Sequence, residues 1–328
     1  MTSSIRPQAH RERRPPSFSR GCVLSKLARY GSSTIRVVTA FFQIGEDLRM
    51  RKRLFVAISA LAMLGVAVGP AMAITDGAPD GNGHPFVGLM VAYDSGGSPL
   101  WRCSGTLMSP TVFLTAGHCT QAPAASAVVW FDADVQSLPV CSHEEPVIGD
   151  ACYPYGGGDS HLASNIYTHP DFYTGSFVLH DVGVLVLDVG VDKGTYGTLP
   201  AEDQLDRLKT RRGQQDVTFT AVGYGLQQSF PDPAYFLAHN VKLRMVANPK
   251  LNQINVPGFT GDFSMLLSNN ANTGGTCFGD SGGPNFLSNS NVVAGVTSYG
   301  INGNCAGTGG VFRMDRKNVL DFVTPFLE

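Results

Sequence analysis

The sequence predicts an all-β protein, a closed barrel or a sandwich, and three observations carry that reading. From Ile74 onward, short runs rich in Val, Phe, Tyr and Thr alternate with clusters of Gly, Pro, Asp and Asn. The 328 residues include 38 glycines and 20 prolines, which suit many turns, while 43% hydrophobic residues suffice for a large core. Helical patterning is confined to the C-terminal end.

Taken in order, the strands are expected at residues 86–93, 101–108, 112–115, 128–131, 184–187, 217–224, 240–246, 292–299 and 311–314. At the end of the chain Asp315 is expected to cap a helix through Val319, Leu320, Phe322 and Val323, limited by Pro325. No internal repeat is visible.

The front of the chain has a different composition. Residues 1–73 carry 12 Lys and Arg against 3 Asp and Glu, and the remaining 255 carry 12 against 23. An acidic body argues against a nucleic-acid partner. Met50-Arg51-Lys52-Arg53 is followed by an uncharged, mostly apolar run over 54–68, a Gly69-Pro70 break, and Ala71-Met72-Ala73. That order fits a signal peptide over 50–73. A membrane anchor is the rival, since 54–75 holds no charge; the helix breaker and the small-residue cleavage pattern favour export. Residues 1–49 then read as a non-native or disordered basic extension, with translation starting at Met50, or as an organellar presequence.

Of seven cysteines, Cys22 lies in this leader, leaving six, an even number suited to an oxidising compartment and open to fifteen pairings. Cys and His residues do not fall into paired short ligand spacings, so no metal centre is expected.

Three motifs carry chemistry. Thr276-Cys277-Phe278-Gly279-Asp280-Ser281-Gly282-Gly283-Pro284 sets a serine among small residues, so that backbone can approach its hydroxyl and amides can converge on one spot. By itself Gly-Asp-Ser-Gly is equally an ordinary turn. A serine nucleophile also needs a base held by a third group. Leu114-Thr115-Ala116-Gly117-His118-Cys119 offers His118, and His180-Asp181 at the head of a strand-like run ending in Asp188 offers Asp181.

With His118, Asp181 and Ser281 in that order, the chain resembles the chymotrypsin-like (trypsin-fold) serine proteases, and differs from subtilisin-like enzymes and α/β-hydrolases, whose triads run in other orders. The resemblance implies two antiparallel six-stranded β-barrels, residues 74–200 carrying His118 and Asp181 and residues 201–328 carrying Ser281, with a short C-terminal helix. It implies disulfides Cys103–Cys119 and Cys277–Cys305, which leaves Cys141 with Cys152.

The resemblance also assigns roles. Ser281 would be the nucleophile, His118 the general base and acid, and Asp181 the orienter, with Gly183 where alanine is commoner. Asp171 and Asp188 are rivals only by proximity; Asp188 reads as a solvated strand end, and His180 as surface or structural. Gly279 and Ser281 would supply the oxyanion amides, and Ser298, Tyr299 and Gly300 the strand that pairs with substrate, with Tyr299 in place of the commoner tryptophan. Gly275, Gly300 and Gly310 would line the specificity pocket. No acidic residue occurs from Leu267 to Cys277, so cleavage is expected after large apolar residues rather than Arg or Lys. Ile74, freed by removal of 50–73, would turn inward to pair its ammonium with Asp280.

The expected protein is therefore a secreted, monomeric serine endopeptidase. It would act on polypeptides without a cofactor, a nucleic-acid partner or stable membrane association after cleavage. The alternatives are a catalytically silent homologue that binds rather than cleaves, and an esterase using the same triad.

Overall fold

A computed structural model describes residues 74–138, 157–172, 179–209, 216–227 and 241–328, all within one compact unit, Val68–Glu328. The basic extension, the signal peptide and the Cys141–Cys152 pair lie outside the described residues.

Fifteen described strands form two antiparallel sheets. The first contains β2 (Val87–Tyr93), β3 (Pro99–Leu107), β4 (Val112–Thr115), β5 (Ser126–Trp130), β6 (Ser160–Ala163), β7 (Asn165–Thr168) and β8 (Gly183–Val186), in the order β6-β5-β2-β3-β4-β8-β7. Its outermost strands, β6 and β7, are consecutive and separated only by Ser164, so they are one strand bent to close six into a barrel.

The second sheet is built in the same way. It contains β1 (Ala78–Pro79), β9 (Phe219–Gly223), β10 (Met245–Ala247), β11 (Leu251–Val256), β12 (Gly261–Asn269), β13 (Pro284–Leu287), β14 (Val293–Gly300) and β15 (Gly307–Arg313). Its order is β1-β10-β9-β13-β14-β15-β12-β11. β10 and β11 are again neighbours in sequence, parted by residues 248–250, and a bent strand again closes six, with the two-residue β1 added outside. The all-β, two-barrel expectation holds.

The barrels share a core. Phe86, Met90, Phe113, Leu114 and Val184 of the first pack in one cluster with Val222, Phe286, Val296 and Phe312 of the second. Burying each such side chain contributes ~1.5–3 kcal/mol. A smaller cluster of Leu205, Phe219, Leu251, Met265, Ala294 and Val311 fills the second barrel alone. Arg244, 1% exposed, pins the two together. Its guanidinium pairs with Asp80 at 3.1 Å and donates to the carbonyls of Gly81, Val87 and Phe131 and to the Tyr224 hydroxyl.

Near the C-terminus, α2 (Lys317–Val323) follows Arg316 as its N-cap, and Pro325 falls in a 3-10 turn, Thr324–Phe326. The expected cap is thus corrected. The Asp315 carboxylate is taken by Arg313 Nε and Nη2 and by the amide of Leu205, which leaves it no part in the helix start. α1 (Gly117–Thr120) is a single turn that carries His118.

Candidate active site

β4 and β8 pair with Thr115 opposite Gly183, so His118, just past one strand, and Asp181, just before the other, emerge at the same end of the first barrel. Asp181 is fully buried, and its carboxylate accepts the backbone N–H of His118 at 2.9 Å and approaches His118 Nδ1 at 2.9 Å. A carboxylate there selects the Nδ1–H tautomer, which turns the Nε2 lone pair outward. Burial alone would lower the His118 pKa, but the charge of Asp181 and its hydrogen bond outweigh that and hold it above 6.5.

The unusual glycine at 183 has a steric reason. A Cβ there would fall 2.5 Å from Thr120 Oγ1 and 2.8 Å from the Ala116 carbonyl oxygen. Thr120 occupies the space, donating to Gly117 O at 3.1 Å, and so braces the turn that holds His118. Disulfide Cys103–Cys119 ties the same turn to β3, and Trp101 Nε1 donates to Cys119 O at 2.9 Å.

Ser281 comes from the second barrel, in the turn before β13. The amide of Gly282 donates to Thr297 O at 2.8 Å and that of Thr297 to Gly283 O at 3.0 Å, fixing the turn against β14. Ser104 of β3 fixes it from the other barrel: its amide donates to Ser281 O at 2.8 Å and its hydroxyl to Gly279 O at 2.9 Å. Gly279 has φ +95°, a conformation that side chains disfavour, and a Cβ there would lie 3.1 Å from Arg102 Nε. Among the described residues no protein acceptor takes the amide hydrogens of Gly279 or Ser281.

Two adjoining hollows, of about 490 and 330 Å³, open on this turn, and His118 and Ser281 line both. Trp101, Arg102, Leu226 and Phe278 bound the larger. Thr276, Cys277, Thr297, Ser298, Tyr299, Gly300 and Cys305 bound the smaller, which contains no charged side chain besides His118 at its mouth. Disulfide Cys277–Cys305 forms part of its wall.

The three glycines expected to line the specificity pocket differ in where the structure places them. Gly300 lines the hollow, whereas Gly275 and Gly310 do not. A Cβ on Gly310 would meet the Tyr299 ring at 2.3 Å, and one on Gly275 would meet Asn269 at 2.4 Å. A bulge at Ser298, where pairing with β15 jumps from Thr297 to Tyr299, turns the Tyr299 ring onto Gly310. Its hydroxyl lies 3.2 Å from Ser264 Oγ and the Phe259 ring abuts it edge-on.

Ser298 has a further contact that sequence reasoning missed. Its hydroxyl donates to Asp181 Oδ2 at 2.5 Å, crossing between barrels to hold the carboxylate. A serine within the pairing strand could have suggested this; Ser104, buried in β3, offered no signal.

Asp280 is fully buried and accepts the amides of Gly225 at 2.7 Å and Cys277 at 2.9 Å. Burial pushes its carboxyl up to about 7, against the lowering pull of those two amides and of Arg102. The Ile74 side chain is fully buried with Ala221, Met245 and Ala247, and Thr75 bridges Gly275, whose amide donates to Thr75 O at 3.0 Å. In this chain the Ile74 nitrogen is a peptide nitrogen following residue 73. Asp171 is exposed beside His169, and Asp188 accepts the amide and hydroxyl of Ser164 at the surface, so neither competes with Asp181 for His118.

Known proteins agree with this architecture. The family model described as Trypsin matches residues 80–322. The chain is 26% identical over 235 residues to "Serine protease 1" of Drosophila melanogaster, covering 71% of this chain and 77% of that one. It is 27% identical over 243 residues to "Venom serine protease Bi-VSP" of Bombus ignitus, covering 70% and 61%. A solved structure titled "HL collagenase structure at 1.7A resolution" superposes with a TM-score of 0.56 at 19% identity, covering 77% of this chain and 98% of that one, which supports the fold. No helix among the described residues is long and apolar enough to cross a membrane.

Proposed function

Because the chain belongs to the trypsin family and is a serine endopeptidase, we propose that it cleaves peptide bonds through Ser281, His118 and Asp181 by way of an acyl-enzyme. The observation that carries the reading is the His118–Asp181 pair at 2.9 Å, opening on the cleft that Ser281 also lines.

Ser281 Oγ attacks the scissile carbonyl carbon while Nε2 of His118 takes its proton. The carbonyl oxygen becomes an oxyanion in reach of the Gly279 and Ser281 amides. Each such donor is worth ~3–4 kcal/mol in the transition state. The imidazolium, stabilised by Asp181, then protonates the leaving amine as the C–N bond breaks. Water attacks the ester in the second half, with His118 again as base, and Ser281 is restored. Ser298 holds Asp181 in place throughout, a positioning residue rather than a reacting one.

The substrate is an extended polypeptide laid along Ser298, Tyr299 and Gly300. Its residue before the cleaved bond enters the uncharged hollow, which favours apolar side chains over Arg or Lys because a buried cation would find no partner. The enzyme acts as an exported monomer, off the membrane, consistent with the disulfides flanking His118 and Ser281. In this reading maturation at Ile74 frees an ammonium that turns inward to Asp280, whose buried carboxylate otherwise has the amides of Gly225 and Cys277 and the more distant charge of Arg102.

A fluorophosphonate that labels purified protein, and fails on Ser281→Ala, tests the nucleophile. A peptide-library digest by the same sample tests substrate class. Hydrolysis of esters but never peptides would replace the reading with an esterase, and no labelling of folded protein would replace it with a silent homologue.

A further inference from the structure

Next to Asp181 in the chain begins a second group of side chains capable of chemistry. His169, Asp171 and His180 each bring a donor atom within 4.8 Å of the other two. They converge from separate stretches: His169 and Asp171 follow β7, and His180 immediately precedes Asp181.

Asn318 of α2 holds both rings. Its carbonyl oxygen lies 3.4 Å from Nε2 of His169, and its side-chain nitrogen 2.8 Å from Nδ1 of His180. The rings stack with centroids 5.0 Å apart, between Phe322, 5.0 Å from His169, and Phe263, 5.4 Å from His180. His169 is 4% exposed, and its Nδ1 accepts the Asp171 amide at 3.1 Å.

We propose that His169, Asp171 and His180 form a site for a borderline divalent transition-metal ion, zinc being the chemical fit. Two imidazoles and one carboxylate suit zinc rather than calcium or magnesium, which prefer all-oxygen shells. Asn318 contacts one nitrogen of each ring, which leaves Nδ1 of His169 and Nε2 of His180 to ligate. Its backbone carbonyl then receives the Nε2–H of His169, and its amide, with oxygen and nitrogen exchanged, receives the Nδ1–H of His180. Such outer partners fix ring orientation and raise ligand basicity. Donors around a tetrahedral ion at about 2.1 Å lie about 3.4 Å apart. Ligation therefore requires His169 Nδ1 to give up the Asp171 amide and the donors to draw together from the present spacing. Water completes the shell.

The position gives the ion a consequence. His180 has φ +56°, a left-handed conformation uncommon outside glycine, and the next residue is Asp181. An ion tying His180 to His169 clamps this backbone beside the carboxylate that orients His118.

The test uses the full chain carrying Ser281→Ala, so that self-cleavage does not interfere, and reads metal binding directly rather than hydrolysis. Zinc titrated by calorimetry should bind at one equivalent. Cobalt in its place should give the strong visible bands of a low-coordinate ion. His169→Gln, His180→Gln and Asp171→Asn should each weaken zinc binding by at least about tenfold, as should Asn318→Ala. Asp171 is exposed, so its variant keeps a readout if a ring variant fails to fold, and thermal melting identifies such a failure. No stoichiometric binding, or undiminished binding in folded Asp171→Asn and His180→Gln, overturns the proposal. Hydrolysis enters none of these measurements, so their failure and that of the proposed activity are distinguishable.

Discussion

The ring of Tyr299 fills the place that a side chain on Gly310 would need, with ring atoms 2.3 Å from the Cβ position. The glycine is therefore spent on an aromatic neighbour and not on an open slot. Tyr299→Ala should deepen the hollow and raise kcat/KM for Phe, Tyr or Trp over Ala before the cleaved bond by about tenfold or more. Competition between paired peptide substrates measures this, and an unchanged ratio removes Tyr299 from specificity. Gly275→Asp, by contrast, should not confer cleavage after Arg or Lys, because Asn269 occupies the space its side chain would enter.

Ser281→Ala, His118→Ala and Asp181→Asn should each leave a folded protein with kcat reduced by about 10⁴-fold or more. Near-wild-type turnover in any one, with an unchanged melting temperature, would remove that residue from the mechanism.

In the proposed mechanism His118 must be neutral to accept the Ser281 proton, and Asp181 holds its pKa above the ordinary value. The acid limb of the kcat/KM profile should therefore lie above pH 6.5, with activity lost as pH falls through the raised value. Ser298→Ala frees the Asp181 carboxylate from its only side-chain hydroxyl donor among the described residues. It should lower kcat by about tenfold or more, since hydrogen bonds to charged groups are worth ~1.5–3 kcal/mol, and move that limb. A fall in stability with an unmoved limb would mean that Ser298 only packs.

In the chain that continues before Ile74, Asp280 has a folded pKa raised to about 7 from 3.8. A raised carboxyl favours the protonated native state, so its contribution to stability is greatest at low pH and is lost as pH climbs from about 4 to about 7. A form beginning at Ile74 should lose this slope, because an ammonium beside Asp280 favours the charged carboxylate. Melting curves of the two forms across that range decide it. Identical slopes would argue against the pairing. Full activity with residues still attached before Ile74 would argue against maturation at that bond.

Arg244→Met removes a buried cation that binds Asp80 and three carbonyls, and leaves Asp80, at 2% exposure, with only the imidazole and backbone N–H of His84. A loss of ~3–5 kcal/mol is expected, measured by denaturant unfolding. Asp80→Asn in the same background should recover part of it.

Much of the site was legible because its residues sit beside apolar strands of strong pattern. β4 lies where residues 112–115 were expected, and it ends three residues before His118. The β11–β12 hairpin was missed because Leu251–Val256 is half polar and its neighbours are partly exposed, giving no clear alternation. β13 opens on Pro284, a residue that argues against a strand in sequence. The direction of the Tyr299 ring was illegible for a more local reason. Which way Tyr299 points depends on one extra residue at Ser298, and a single-residue slip in a strand exchanges its two faces. No pattern of residue types encodes that slip.

The bent strands at Ser164 and at residues 248–250 bear on the hazard a peptidase poses to its own copies. Such an enzyme grips its victims as extended chain, by the same main-chain hydrogen bonding that adds a strand to a sheet. Because both sheets curl back on themselves, the long described strands already spend their hydrogen bonds on neighbours, and the outermost, β1, is only two residues long. A neighbouring molecule thus finds little ribbon to seize while the fold is intact. Self-digestion should begin in the connecting loops and proceed through the barrels only as fast as they open.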